Sequence, residues 1–296
     1  MSDDEEVRAP NGEWWNKAPS YVKAYEDIDF LNRPDLRPVR LQLELLKPEL
    51  TLMEHDINST IVVFGGTRII APEIAQIQVD DLEKAVEKSP NDTDLALRLK
   101  IARNILDKSK YYQEAREFGR LVSEYGQGGN GNEFVVVTGG GPGVMEAANR
   151  GAYEAGAKSI GLNITLPLEQ APNPYITPDL CFQFHYFAIR KMHFMLRAKA
   201  LVAFPGGYGT MDELFEALTL VQTGKVDRLP IVLMGREFWN GIVDFERFVL
   251  EGTIDPEDIE LFHYCETAKE AWEYILGYWK HQAAEQTARV KDPEQI

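Results

Sequence analysis

A glycine-rich segment at residues 205–213 is the part of the sequence with the clearest potential for chemistry. It reads Pro-Gly-Gly-Tyr-Gly-Thr-Met-Asp-Glu and directly follows an apolar run. Gly206, Gly207 and Gly209 allow a ligand to approach the backbone closely, and Thr210 places a hydroxyl beside free N–H groups at the start of a helix. Because a helix N-terminus attracts anions, the segment predicts a phosphate-binding turn.

The same segment has a purely local interpretation. Thr210 and Glu213 have the spacing of a capping box, in which the Glu213 carboxylate accepts a hydrogen bond from the Thr210 amide. The spacing alone favours neither interpretation, and the two are not exclusive.

A predicted helix over residues 186–198 concentrates positive charge in an acidic chain. Arg190, His193 and Arg197 fall at i, i+3 and i+7, so one face of the helix is cationic, and Lys191 adds a further charge. The face is either a solvated surface with a few ion pairs or part of an anion site, since the chain leads from it into the glycine-rich segment.

A second glycine turn, at residues 139–143, lies between a predicted strand and a predicted helix. Its amides face an anion, or its glycines only allow a tight turn. When the dinucleotide fingerprint G-x-G-x-x-G is placed on Gly141 and Gly143, Glu146 occupies the position of the last small residue. A dinucleotide site of the usual kind is therefore not expected.

Five apolar runs predict the elements that position these turns. Runs that are apolar at successive positions are typical of strands buried on both faces of a parallel sheet. Predicted helices lie between and after these runs, at 95–125, 144–155, 186–198, 211–223, 238–250 and 268–286. The alternation predicts an α/β, Rossmann-like doubly wound parallel sheet in a three-layer α/β/α arrangement. The five runs are 61–64, 134–138, 159–164, 200–204 and 230–234.

The remaining segments define the predicted organisation. Residues 1–56 are expected to form an N-terminal extension with a disordered tip, and residues 57–286 a nucleotide-binding catalytic domain. A helical excursion is expected at 72–109, and a tail at 287–296.

Composition limits the partners and the compartment. The 296-residue chain has a net charge of −16, which argues against binding to nucleic acid or to an anionic membrane. Its two cysteines, its acidic N-terminus and its lack of a long apolar run favour a cytoplasmic protein. The five histidines have no ligand spacing, so no metal is expected.

Three motifs together resemble the LOG ("Lonely guy") family of cytokinin-activating enzymes, long mislabelled as lysine decarboxylases. They are Gly-Gly-Gly-Pro-Gly-Val-Met-Glu at 139–146, the pair Arg190 and Lys191, and P-G-G-x-G-T-x-x-E at 205–213. The similarity spans about residues 61–235. It implies a Rossmann-like fold and a phosphoribohydrolase that cleaves the N-glycosidic bond of a nucleoside 5′-monophosphate to free base and ribose 5-phosphate. AMP and a cytokinin riboside monophosphate are both open as substrates.

The resemblance also implies roles for single residues. Arg190 and Glu213 correspond to the catalytic residues of the family, and Glu213 would stabilise positive charge on the ribose and orient water. Glu146 contacts ribose hydroxyls in this interpretation, and a structural role for it is equally open. The residues expected to bind phosphate or substrate are Gly141, Gly143, Glu146, Lys191, Gly206, Gly207, Gly209 and Thr210.

Two alternative functions follow from similar proteins. The first is a non-catalytic carrier of a phosphorylated pterin, of the molybdenum-cofactor-carrier kind. The second, a lysine decarboxylase, requires a lysine that binds pyridoxal phosphate, and no lysine here has such a context. No cofactor is expected, and the resemblance implies a homo-oligomer.

Overall fold

The computed structural model describes residues 18–129, 132–167 and 171–291, with side chains as far as residue 284. The predicted disordered tip, where it falls in residues 1–17, lies outside the described residues, as do residues 292–296 of the predicted tail.

A single seven-stranded sheet forms the centre of the protein, and all its neighbouring strands are parallel. The strand order is β4-β3-β2-β1-β5-β6-β7, so the chain winds outward from β1 in one direction and then from β5 in the other. This order confirms the predicted doubly wound α/β fold. The strands are β1 (Thr60–Phe64), β2 (Val135–Thr138), β3 (Ser159–Ile164), β4 (Cys181–Phe184), β5 (Ala198–Ala203), β6 (Ile231–Met234) and β7 (Phe262–Cys265).

Helices cover both faces of the sheet, and the side chains of β1 show how the two cores arise. Val62 and Phe64 pack into the core on one face, whereas Ile61 and Val63 pack into the core on the other. All four are fully buried or nearly so, as period-two alternation requires of a strand covered on both sides. The described helices are α1 (Ile28–Leu31), α2 (Arg37–Glu54), α3 (Pro72–Lys88), α4 (Thr93–Lys108), α5 (Lys110–Gln127), α6 (Val144–Glu154), α7 (Phe187–Leu196), α8 (Tyr208–Gln222), α9 (Arg236–Ile242), α10 (Phe245–Leu250) and α11 (Ala268–Lys291).

The two faces are covered by different parts of the chain. Helices α5, α6 and α11 contribute to one core, and α7, α8, α9 and α10 to the other. α5 and α6 approach closely because α6 carries Gly151, where a methyl group would lie 1.9 Å from the carbonyl oxygen of Arg116. The architecture is therefore the predicted three-layer α/β/α sandwich.

The structure contains two strands and two helix breaks that the sequence did not predict. β4 and β7, the two edges of the sheet, were not predicted. The predicted helix 95–125 is divided at Ser109, whose hydroxyl donates to the Leu106 carbonyl oxygen at 2.6 Å. The predicted helix 238–250 is divided at Asp244, whose carboxylate accepts from the Arg247 amide at 2.9 Å and begins α10.

Residues 72–109 contain α3 and α4, which pack against each other. Val79, Leu99 and Ala102 form a small core between these two helices, separate from the two cores of the sheet. Asp92 caps the second helix, since its carboxylate accepts from the amides of Asp94 and Leu95.

The chain divides into two compact units, residues 1–47 and 48–296. In the first, Asp27 caps α1, and the Arg40 guanidinium donates to the carbonyl oxygens of Leu31 and Arg33 at 2.6 and 2.8 Å. The second contains the sheet and its helices. The final helix, α11, continues five residues beyond the predicted end at 286.

Candidate active site

Three glycine-containing turns meet at the point where the strand order reverses. They follow β1, β2 and β5, and parallel strands place their carboxyl ends at the same edge of the sheet. The Gly66 amide donates to the Pro205 carbonyl oxygen at 2.9 Å, and the Val144 amide donates to the Gly66 carbonyl oxygen at 3.3 Å. These bonds join the three turns into one rim.

A cleft of about 420 Å³ opens at this rim. Its volume suits a small-molecule ligand, and the switch point of a doubly wound sheet is the usual place for one. The cleft is lined by Gly65, Gly66, Thr67, Gly139, Gly141, Met145, Asn163, Ile164, Leu166, Ala171, Phe187, Arg190, Gly207, Tyr208, Gly209, Thr210, Asp212 and Glu213.

Arg190 and Glu213 form an ion pair in this cleft. Arg190 Nη1 lies 2.9 Å from Glu213 Oε1, and the two side chains are only 8% and 12% exposed. Arg190 is held by two further contacts: its Nε donates to the Leu162 carbonyl oxygen at 2.7 Å, and its guanidinium lies 5.0 Å from the Phe194 ring centroid. A guanidinium fixed at three points positions the carboxylate that it pairs with.

Burial has the largest effect on the ionisation of Glu213. It raises the pKa of Glu213 to about 7, against the opposing influence of Arg190. Asp212 raises the pKa of Glu213 further and Lys191 lowers it, both by smaller amounts. A carboxyl group with a pKa near 7 can accept and release protons at neutral pH.

The turn after β5 presents backbone amides to the cleft. α8 begins at Tyr208, so the first amides of the helix have no partner within the helix. Apart from the directly adjoining chain, a methyl group added at Gly207 or at Gly209 would meet no protein atom within 4 Å. Neither glycine has a positive φ. Neither close packing nor backbone conformation therefore requires glycine at these two positions. Open space above free amides is suited to an anion.

The capping box that the sequence also allowed is not formed. α8 begins two residues before Thr210, at Tyr208, and its N-cap is Gly207, with no side-chain hydrogen bond. Thr210 is instead a buried residue of the first turn, and Glu213 points to Arg190. The spacing was misleading because the helix starts earlier than the Thr-x-x-Glu pattern indicates.

The turn after β2 is held by a buried polar network. Gly140 and Gly143 both have positive φ, at 75° and 73°. Asn173 donates to the carbonyl oxygens of Gly140 and Gly141 at 3.2 and 3.1 Å, and to Asn149 Oδ1 at 3.0 Å. Because these bonds fix the backbone, the turn presents Gly141 to the cleft in one conformation.

Four of the predicted binding residues lie outside the cleft lining. Glu146 accepts a hydrogen bond from the Tyr112 hydroxyl at 3.0 Å. Lys191 forms ion pairs with Asp212 and Glu216 at 3.2 and 3.1 Å.

The other two, both glycines, are packed against protein atoms. A methyl group on Gly143 would meet the Gly66 carbonyl oxygen, and one on Gly206 would meet the Thr210 hydroxyl. Arg190, Glu213, Gly141, Gly207, Gly209 and Thr210 do line the cleft.

The turn after β1 was missed as part of the site. Gly65, Gly66 and Thr67 line the cleft beside the two predicted turns. The signal was present, since this turn also places glycines directly after a buried strand. The lining residues that belong neither to this turn nor to any of the three motifs are Asn163, Ile164, Leu166, Ala171 and Phe187.

Neither a metal cluster nor a membrane span is found in the described part of the chain. No three His, Cys, Asp or Glu side chains converge there in a way that suits a metal ion. No described helix combines the length and the apolar character needed to cross a bilayer.

Sequence comparison connects this site with known proteins. A family model described as "Possible lysine decarboxylase" matches residues 145–275, which include Arg190 and Glu213. The chain is 30% identical over 176 residues to the cytokinin riboside 5′-monophosphate phosphoribohydrolase LOG3 of Arabidopsis thaliana, covering 58% of this chain and 77% of that protein. The chain belongs to the LOG family. A second relative in the family, LOG1 of the same plant, is 28% identical over 195 residues, covering 64% of this chain and 86% of that protein.

Comparison of structures finds similar chains outside the named LOG enzymes. The molybdenum cofactor carrier protein from Chlamydomonas reinhardtii superposes with a TM-score of 0.42 and 19% identity, covering 74% of this LOG family member and 99% of that chain. The molybdenum cofactor binding protein from Rippkaea orientalis gives a TM-score of 0.42 and 20% identity, covering 57% and 87%.

Proposed function

We propose that the protein hydrolyses the N-glycosidic bond of a nucleoside 5′-monophosphate, giving the free base and ribose 5-phosphate. The observation that carries this proposal is the nearly buried Arg190–Glu213 ion pair beside a glycine turn with open space above its amides. The names of the relatives support the reaction class, since LOG3 and LOG1 are named as phosphoribohydrolases of a nucleoside monophosphate.

The 5′-phosphate is assigned to the turn after β5. The open positions above Gly207 and Gly209 admit a phosphate oxygen at contact distance, and the N-terminus of α8 favours its negative charge. Thr210 and Gly141 line the same cleft. In a chain with a net charge of −16, such a local site is required for an anionic ligand.

The ribose is assigned to the Arg190–Glu213 pair. Cleavage transfers the electrons of the C1′–N bond to the base, which takes up a proton from solvent, and leaves positive charge on the ribose. Ionised Glu213 stabilises that charge and accepts a proton from the water that attacks C1′. Arg190 holds the carboxylate in place through the 2.9 Å contact and binds an oxygen of the sugar or the phosphate.

A panel of nucleotides tests the reaction. Purified protein is incubated with AMP, GMP, CMP, UMP and a cytokinin riboside monophosphate, and free base and ribose 5-phosphate are quantified by chromatography. We expect release of both products in equal amounts from at least one nucleotide. Folded protein that binds nucleotides but releases no base from any of them would overturn the proposal and favour a carrier.

Matched carboxylate variants test the site within the same assay. Glu213→Gln is expected to lose activity by at least about 100-fold, because glutamine neither accepts the proton nor carries charge. Glu216→Gln changes a nearby carboxylate that pairs with Lys191 and lies outside the cleft lining, and it is expected to keep activity within about threefold.

We also propose that the protein forms a homo-oligomer. Light scattering during size-exclusion chromatography tests it against the chain mass of 33.6 kDa.

A further inference from the structure

A second cavity, of about 300 Å³, lies beside α8 and is separate from the cleft. Its lining comes from α8, α10, residues 253–261 and the first residue of β7, and none of its described lining residues also lines the cleft. We call it the aromatic cavity. Its volume is at the lower end of the range for small-molecule sites, about 300–1,000 Å³.

The helix α8 contributes one face to the aromatic cavity and another face to the cleft. Four residues of the cavity share a helix face because they fall at i, i+3, i+4 and i+7, namely Phe215, Leu218, Thr219 and Gln222. At 3.6 residues per turn, this face lies opposite Glu213, which lines the cleft. The aromatic cavity is therefore not an extension of the proposed nucleotide site.

Four phenylalanine rings form the apolar wall of the aromatic cavity. Phe215 stacks on Phe245 with ring centroids 6.1 Å apart, and Phe245 packs against Phe262 with centroids 4.5 Å apart. Phe248 lies 6.3 Å from Phe215 and 6.5 Å from Phe245, and it is 38% exposed. An open cavity bounded by rings that pack against one another is suited to a flat apolar group, which would displace water from it.

Asp258 is the one charged residue among the described residues of this lining. Its Oδ2 accepts hydrogen bonds from Gln222 Nε2 at 2.5 Å and from the Asp255 amide at 2.9 Å. Both bonds reach the same oxygen, and no described residue donates to Oδ1 or forms an ion pair with this carboxylate. The carboxylate is therefore held in place, and Oδ1 can accept a hydrogen bond from a ligand.

We propose that the aromatic cavity binds a small organic cation that has an aromatic ring and an ammonium group. The ring packs against Phe215 and Phe248, and the ammonium group donates to Asp258 Oδ1. The net charge of −16 also favours the approach of a cation over that of an anion. This site is independent of the proposed hydrolysis, because it uses no residue of the cleft.

Three indoles of different charge test the ligand class. At neutral pH tryptamine is a cation, indole-3-acetamide is neutral and indole-3-acetate is an anion, and all three have the same ring. Kd values for the full chain are measured by calorimetry at low ionic strength. Tryptamine is expected to bind about fivefold more tightly than the acetamide, in line with a partly exposed ion pair, and the acetate is expected to bind most weakly.

Three variants test whether the indoles bind in the aromatic cavity. Asp258→Asn keeps the shape of the side chain and is expected to remove the preference for tryptamine over the acetamide. Phe248→Ala is expected to weaken the binding of all three indoles about tenfold, since a ring of the wall is lost. Thr219→Trp changes an exposed residue of the lining, so its indole is expected to fill the cavity and abolish binding without lowering the melting temperature.

Two control variants change exposed residues outside this lining. Asp107→Asn removes a carboxylate on α4, and Leu250→Ala shortens a side chain of α10 that is 78% exposed. Both are expected to keep the Kd values of the wild-type protein.

Several outcomes would overturn the proposal. Equal Kd values for the three indoles, or no measurable binding of tryptamine, would exclude a cation site. Wild-type affinity in Thr219→Trp would place the indoles elsewhere on the protein. A preference for tryptamine that persists in Asp258→Asn would contradict the contact assigned to that carboxylate.

Discussion

The Arg190 guanidinium and the Glu213 carboxylate meet with 2.9 Å between Nη1 and Oε1, although they come from different helices. α7 carries the arginine, α8 carries the glutamate, and β5 with its following turn connects the two helices. The ion pair is nearly buried, and burial raises the pKa of Glu213 to about 7 despite the neighbouring cation. The protonation state of this one carboxyl group therefore changes in the neutral pH range.

The first prediction concerns the pH dependence of activity. If ionised Glu213 is the active form, kcat/KM rises tenfold per pH unit below about pH 7 and reaches a plateau above it, because the pKa of Glu213 is about 7. The measurement is the pH profile of base release between pH 5 and 9. A plateau that extends down to pH 5 would show that the active carboxylate has an ordinary pKa.

The second prediction concerns the charge of Arg190. Arg190→Gln removes the cation that lowers the pKa of Glu213, so the acidic limb of the pH profile is expected to move to higher pH. The rate on the plateau is expected to fall by at least about 100-fold, because a loosely held carboxylate is poorly oriented.

A surface arginine provides the control for this variant. Arg116→Gln breaks the partly exposed ion pair of Arg116 with Glu154, which lies outside the cleft lining, and is expected to leave the pH profile unchanged. An unshifted acidic limb in Arg190→Gln would contradict the electrostatic coupling between Arg190 and Glu213.

The third prediction concerns stability. The pKa of Glu213 is raised from 4.5 to about 7 in the folded protein, so between these two values the folded state binds more protons than the unfolded state. The free energy of unfolding therefore falls as pH rises through this window. At 1.36 kcal/mol per pH unit, the loss is on the order of 3 kcal/mol.

Glu213→Gln lacks this titration. Subtracting its free energy of unfolding from that of the wild-type protein, measured with urea at several pH values, isolates the contribution of Glu213. The difference is expected to fall between pH 4.5 and 7 and to be constant above that range. A difference that is independent of pH would place the pKa of Glu213 near its ordinary value.

The sequence was sufficient for the centre of the sheet and insufficient for its edges. β1, β2 and β6 are almost wholly apolar and buried, and β3 and β5 each contain a buried, mainly apolar stretch, so all five were recognised from such runs. The edge strands β4 and β7 read Cys-Phe-Gln-Phe and Phe-His-Tyr-Cys, and each has a polar residue exposed to solvent, Gln183 in β4 and His263 in β7. Four residues of weak alternation do not distinguish a strand from a loop.

The two helix breaks differ in how readily they can be predicted from the sequence. Asp244 is an ordinary N-cap residue, so the start of α10 was recoverable from the sequence. Ser109 lies between Lys108 and Lys110 with no glycine or proline nearby, and only its bond to the Leu106 carbonyl oxygen marks the break.

The site was recognised in part through its motifs and not through its geometry. The distance between Arg190 and Glu213 depends on the crossing of two helices, which no spacing in one sequence specifies. The family resemblance provided that connection. Gly143 and Gly206 belong to the same motifs as Gly141 and Gly207, yet only the latter two line the cleft.

The last prediction distinguishes glycines that leave space for a ligand from glycines that allow two helices to pack closely. Apart from the directly adjoining chain, a methyl group on Gly207 or Gly209 meets no protein atom within 4 Å, so alanine at either position is expected to leave the fold intact. Gly209→Ala is expected to stabilise the protein slightly, by up to about 1 kcal/mol, because alanine favours the helix. Both variants are expected to raise KM about tenfold or more, since the methyl group occupies the space assigned to the phosphate.

Gly151→Ala is the matched contrast, because its methyl group would lie 1.9 Å from the Arg116 carbonyl oxygen between α5 and α6. It is expected to lower the melting temperature by several degrees, at a cost of about 1–3 kcal/mol, and to leave KM unchanged in the fraction that remains folded. Thermal unfolding and steady-state kinetics on the three variants provide the measurement. An unchanged KM in both Gly207→Ala and Gly209→Ala would contradict the assignment of the phosphate to this turn. The phosphate would then have to bind elsewhere on the rim.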